Sequence, residues 1–111
     1  MGVKAVVTVK FGAVYSKKEL DIAKINPWQY LNQVFDIRFD RFENTEDYIL
    51  WASDSFILIT NGYKYSESCR SVLELYTTEE VLSFIKSIND FVKENGLPQK
   101  TPEALLITQM E

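Results

Sequence analysis

Carboxylates are the chemistry-bearing side chains of this chain, and they concentrate between Asp36 and Asp54. Asp36, Asp40, Glu43, Glu46, Asp47 and Asp54 share that span with only Arg38 and Arg41 as cations, a local net charge of −4. Converging carboxylate oxygens could hold a hard divalent cation at about 2.0–2.6 Å. No calcium-loop spacing with its glycine accompanies them, and Asp36-Arg38-Asp40 has the alternation of a solvated strand face. The third use of such a cluster is an acidic surface offered to a basic partner protein. Tyr48, Tyr63 and Tyr65 stand beside it, and tyrosine brings interfaces a large contact area at low entropic cost. The plainer alternative is a sheet rim whose tyrosine hydroxyls sit in water.

Other chemistries lack their parts. Without histidine, the usual general base, the Ser-His and Cys-His pairs and the commonest transition-metal ligand are missing. Ser53, Ser55, Ser66, Ser68 and Ser71 therefore have no partner base, and Cys69, beside Arg70, reads as an inert buried thiol. A lone cysteine makes neither an intramolecular disulfide nor a thiolate metal site, which points to a reducing cytoplasm. Gly2, Gly12, Gly62 and Gly96 are not grouped as phosphate or dinucleotide loops demand. The acids and lysine of Glu19-Leu20-Asp21-Ile22-Ala23-Lys24 are too local for a metal-dependent nuclease. We expect no cofactor, no metal and no enzymatic activity.

Charge also speaks against direct nucleic-acid binding, since phosphate affinity begins with clustered Lys and Arg and the formal net charge is −4. Its distribution is uneven. Residues 1–35 hold five lysines against two carboxylates, a net of +3, which leaves −7 for residues 36–111. Such bipolarity suits protein docking or head-to-tail association, and a further alternative is a purely structural subunit that forms a homo-oligomer through the outer face of the hairpin, Ile57 and Ile59, or through the tail. No apolar run approaches the ~20 residues of a membrane span, and Lys4 and Lys10 interrupt the N-terminal stretch where a secretion signal would be continuous.

These residues must be positioned by a single domain, because 111 residues at 46% apolar and 25% charged build one core and no second. Valine density predicts a first strand from Val3 to Phe11, ending near Gly12. Ser16 and Glu19 form a capping box ahead of Leu20, Ile22, Ala23 and Ile25, and Asn26-Pro27 opens a short helix to about Phe35 with Trp28, Leu31, Val34 and Phe35 on its apolar stripe. The period then becomes two, with Ile37 and Phe39 on one face and Asp36, Arg38 and Asp40 on the other. Tyr48 to Ala52 is apolar on both faces, as in a central strand, before Ser53-Asp54-Ser55 turns the chain. Asn61-Gly62 predicts a type I′ hairpin joining Phe56–Thr60 to Tyr63-Lys64-Tyr65.

A further strand is expected over 69–76. Thr77 and Glu80 then cap a long helix on which Val81, Phe84, Ile85, Ile88, Phe91 and Val92 share a face, and Asn95-Gly96 stops it. Thr101-Pro102 suggests a short docking helix carrying Ala104, Leu105, Leu106 and Ile107. Trp28, Phe35, Trp51, Phe56, Phe84 and Phe91 fall at core phase.

The fold expected is α+β: an antiparallel β-meander sheet of about five strands, covered by a long C-terminal helix and one or two short helices near the N-terminus. The stretch from Leu73-Glu74-Leu75-Tyr76 to Phe84-Ile85-Lys86-Ser87-Ile88 faintly resembles the closing strand and helix of pleckstrin-homology-type domains, from which the helical segment before Asp36 departs. The function expected is binding of another protein through the acidic, tyrosine-edged surface, as an inhibitor, an immunity or antitoxin-like partner, or a phage-type accessory factor. The alternative is a small-molecule or lipid pocket between sheet and helices, lined by Phe39, Trp51, Phe56 and Phe84.

Overall fold

The computed structural model describes residues 5–30, 36–41, 45–60 and 75–110. Its spine is strand β1 (Ala5–Ser16), which runs through Gly12 instead of ending there. The strand continues because each part of it has partners. Strand β5 (Glu103–Met110) pairs with residues 5–12 on one edge, while β3 (Asp47–Ala52) and β4 (Ile57–Thr60) pair with residues 12–16 and 7–9 on the other. Strand β2 (Ile37–Arg41) lies outside β3. The result is the expected five-stranded antiparallel sheet of an α+β fold, in the order β2-β3-β1-β4 with β5 beside β1. Among the described residues only the β2–β3 pair keeps the connectivity of a meander.

Strands β3 and β4 are one path along β1, interrupted between them and shifted in register once more between Val7 and Thr8. From the pair Gly12↔Trp51 to the pair Val9↔Ile57, β1 moves three residues while its partner moves six. The three extra residues are the 3₁₀ turn Ser53–Ser55. The chain does not reverse at Ser53-Asp54-Ser55 as expected; it bulges and rejoins the same edge. Ser55, fully buried, closes the gap. Its Oγ accepts the Phe11 N–H at 2.9 Å and donates to the Ala52 carbonyl at 2.6 Å.

Strand alternation sorts the side chains onto two faces. Phe11, Ala13, Tyr15, Ile37, Phe39, Leu50 and Ala52 look toward helix α2 (Thr78–Asn95), which buries Phe84, Ile88 and Val92 against them. Leu20 from helix α1 (Lys17–Ile22) completes this core. Ile49 and Trp51 point the other way and are also buried, so β3 is apolar on both sides as its composition predicts. Both capping boxes form. The Thr77 and Ser16 hydroxyls each accept the N–H three residues on at 3.1 Å, and Glu80 and Glu19 reach back at 2.9 Å. Gly96, at φ +70°, ends α2 in the left-handed conformation.

Other expectations give way. The described part of the segment after Asn26, Pro27–Tyr30, is a 3₁₀ turn, whose three-residue repeat provides no stripe to bury Trp28; that ring is 66% exposed. Phe56 leaves the Ser53–Ser55 turn outside the ladder register and is half exposed, not core. The docking helix proves to be β5, because the edge of β1 over residues 5–12 takes a strand and β-branched Ile107 and Thr108 suit one. Leu75 and Tyr76 are not in a strand. The expected strand at 69–74, the hairpin at Asn61-Gly62 with its return, and Leu31, Val34 and Phe35 lie outside the described residues.

A polar clasp fastens the segment after α2 to the β1–α1 junction. Tyr15 donates to the Pro98 carbonyl at 2.7 Å, and Lys100 donates to the Val14 carbonyl at 2.8 Å and to Glu19 at 2.9 Å while lying 4.5 Å from the centre of the Tyr15 ring. The Ser16 N–H, then Lys100, hold the Glu19 carboxyl below its ordinary range. A depressed folded value means that the contribution is present above the unfolded pKa and is lost as pH falls through the folded one. Glu19→Gln is therefore expected to destabilise the protein at neutral pH and to leave it nearly unchanged in acid, as read from urea midpoints at the two pH values.

Candidate functional site

Among the described residues the expected acidic surface does not gather in one place. Asp40 lies on the sheet face opposite α2, ion-paired with Lys10, whose ammonium sits 4.6 Å from the Trp51 ring centre and 5.9 Å from that of Phe56. The positive leading segment and the acidic span thus neutralise each other here. Glu46 and Asp47 are at the start of β3, where the Glu46 carbonyl accepts the Lys17 N–H at 3.0 Å. Asp54 is exposed past the other end of that strand, roughly 20 Å away at strand rise. Tyr48 is half-buried against the core and lines, with Lys17, Asp21 and Trp28, a shallow hollow of about 240 Å³. Glu43, Tyr63 and Tyr65 lie outside the described residues.

The structure instead brings Asp36 to a groove of about 520 Å³ between the start of β2 and α2. Asp36 directly precedes β2, in a bend outside the strand, and is exposed. Across the groove α2 presents Lys86, Asp90, Phe91 and Glu94, spaced so that one helix face carries all of them. Tyr30 closes one side. Its ring meets Phe91 edge-to-face at 5.4 Å, and both rings pack on the buried Phe39 at 5.5 and 5.7 Å, so the two aromatic rings that line the groove are braced from beneath.

The groove's electrostatics are simple. Three carboxylates face one ammonium, and that ammonium is already engaged by Asp90 at 2.9 Å. The hydrogen bond and charge of Asp90, aided by the charge of Asp36, raise the Lys86 pKa, so it stays protonated. Asn95 is occupied too, donating to the Phe91 carbonyl at 2.9 Å. A negative rim above aromatic faces can accept a guanidinium or an ammonium through charge and cation–π attraction. Among the described residues no three His, Cys, Asp or Glu side chains come together to hold a metal ion.

Sequence reasoning found Asp36 and missed Tyr30, Asp90, Phe91 and Glu94 as site residues. The i, i+4, i+8 spacing of Lys86, Asp90 and Glu94 was the available signal on the helix, whereas nothing local marked Tyr30. The alternative pocket of Phe39, Trp51, Phe56 and Phe84 does not form. Phe39 and Phe84 are on the α2 side, while Trp51 packs with Phe56 at 6.5 Å on the other face, and the sheet separates the pairs. No helix of the described residues is long and apolar enough to cross a membrane. No protein family, curated sequence or solved structure matches this chain.

Proposed function

We propose that the protein is a non-enzymatic binding module that engages another protein by seating an arginine or lysine side chain of that partner in the groove between β2 and α2. The observation that supports this reading is the set of three carboxylates, Asp36, Asp90 and Glu94, around an aromatic floor with one already paired cation. An inhibitor- or immunity-like role, in which these acids meet a basic protein surface, is its finer form.

Titration of the isotope-labelled protein with a short arginine-rich peptide tests it by nuclear magnetic resonance. The shifts are expected at Tyr30, Asp36, Phe91 and Glu94, with affinity reduced about ten-fold in the Asp36→Asn/Glu94→Gln variant. Asp54→Asn/Glu79→Gln removes the same charge away from the groove and should leave the shift pattern in place. Equal weakening by both variants would reduce the effect to net charge and overturn the reading.

A further inference from the structure

The last strand carries an observation independent of the groove. All eight residues of β5 pair with β1 through one edge, and among the described residues nothing pairs with the other. An open row of N–H and C=O groups is a template for another strand, so natural edges are guarded by charge, proline, bulges or brevity. Strand β5 has none of these guards after its first residue. From Ala104 to Met110 it contains no charged residue and no proline, and its register with β1 is unbroken. Leu106, at its middle, is 53% exposed, and α2 packs principally over β1, β2 and β3.

We propose that this edge pairs with the same edge of a second copy of the chain, antiparallel, joining two sheets into one. Symmetry selects the register. A two-fold axis perpendicular to the sheet keeps each side chain on its own face, so opposed residues must have the same parity and the axis must pass through a residue. Centred on Leu106, it sets Leu106 opposite Leu106, Leu105 opposite Ile107, Ala104 opposite Thr108, and Glu103 opposite the uncharged Gln109. No like charges meet, and the exposed leucine gains an apolar neighbour. An edge of this length buries less than a standard interface, so the association is expected to be weak and concentration-dependent.

Sedimentation equilibrium on the full chain up to millimolar concentration is the test. The expected result is a reversible monomer–dimer equilibrium. Leu106→Lys, which places two ammonium groups face to face, should weaken it about ten-fold or more. Leu58→Lys makes the same change at a half-exposed leucine on β4, along the other edge of β1, and should leave it intact. Both sites are exposed, and the unfolding transition verifies that each variant is folded. A monomer throughout the range, a dimer that survives Leu106→Lys, or equal loss in both variants overturns the proposal.

Discussion

Gly12→Ala is expected to remove about 3 kcal/mol or more of folding stability, a large part of the total for a domain of this size. A Cβ built on Gly12 would lie 1.9 Å from the Leu50 carbonyl oxygen and 2.7 Å from the Trp51 Cα. Both are backbone atoms, so no rotamer change relieves the overlap. Strand β1 would have to part from β3 at the point where β3 and β5 both pair with it, and the ladder from Gly12↔Trp51 to Ser16↔Asp47 would loosen from that end. Gly96→Ala is the control. There a Cβ meets nothing within 4 Å, and the cost is that of φ +70° alone, about 1–2 kcal/mol. Urea unfolding of the two variants separates a glycine needed for space from one needed for conformation. Equal losses would show that β1 and β3 have room to spare at Gly12.

The same pair of glycines shows what was legible in the sequence. Gly96 could be read, because the helix before it is marked by a capping box, a 3.6-residue period and a stop, all within one local window. Gly12 has the local look of a strand end, whereas its function depends on Leu50 and Trp51, nearly forty residues away. The groove divides likewise. Locally Asp36 is marked only as a carboxylate at the entry to β2, and tertiary packing alone sets Tyr30 against Phe91 and Asp36 across from Asp90. Strand β5 looks helical in sequence because Thr101-Pro102 satisfies the local rules for a helix start, and the demand of β1 for an edge partner is not local. Asp40 looked like part of an acidic patch until the fold set Lys10 beside it.

Ser55→Ala is expected to cost about 3 kcal/mol, a large loss for one oxygen atom. The hydroxyl is at once an acceptor for the Phe11 N–H and a donor to the Ala52 carbonyl, and the side chain is fully buried. Where the Ser53–Ser55 bulge interrupts the path from β3 to β4, Ser55 Oγ takes the place of a ladder partner, so its removal strands two backbone groups away from water. Tyr76 holds the bulge from the other side, donating to the Ser55 carbonyl at 2.6 Å. Tyr76→Phe removes only that bond and should cost about 1 kcal/mol, with the double variant losing less than the sum of the singles if both act on one bulge. Burial first, then the charge of Glu80, pushes the Tyr76 phenol up to about 12 from its ordinary 10.0. A raised folded value favours the neutral phenol: its contribution is complete below pH 10.0 and is lost as pH rises toward about 12. The alkaline arm of the stability curve should therefore be shallower in Tyr76→Phe than in the wild type, whereas Ser55→Ala should lower stability at every pH. An alkaline arm unchanged by Tyr76→Phe would mean that the phenol does not brace the bulge.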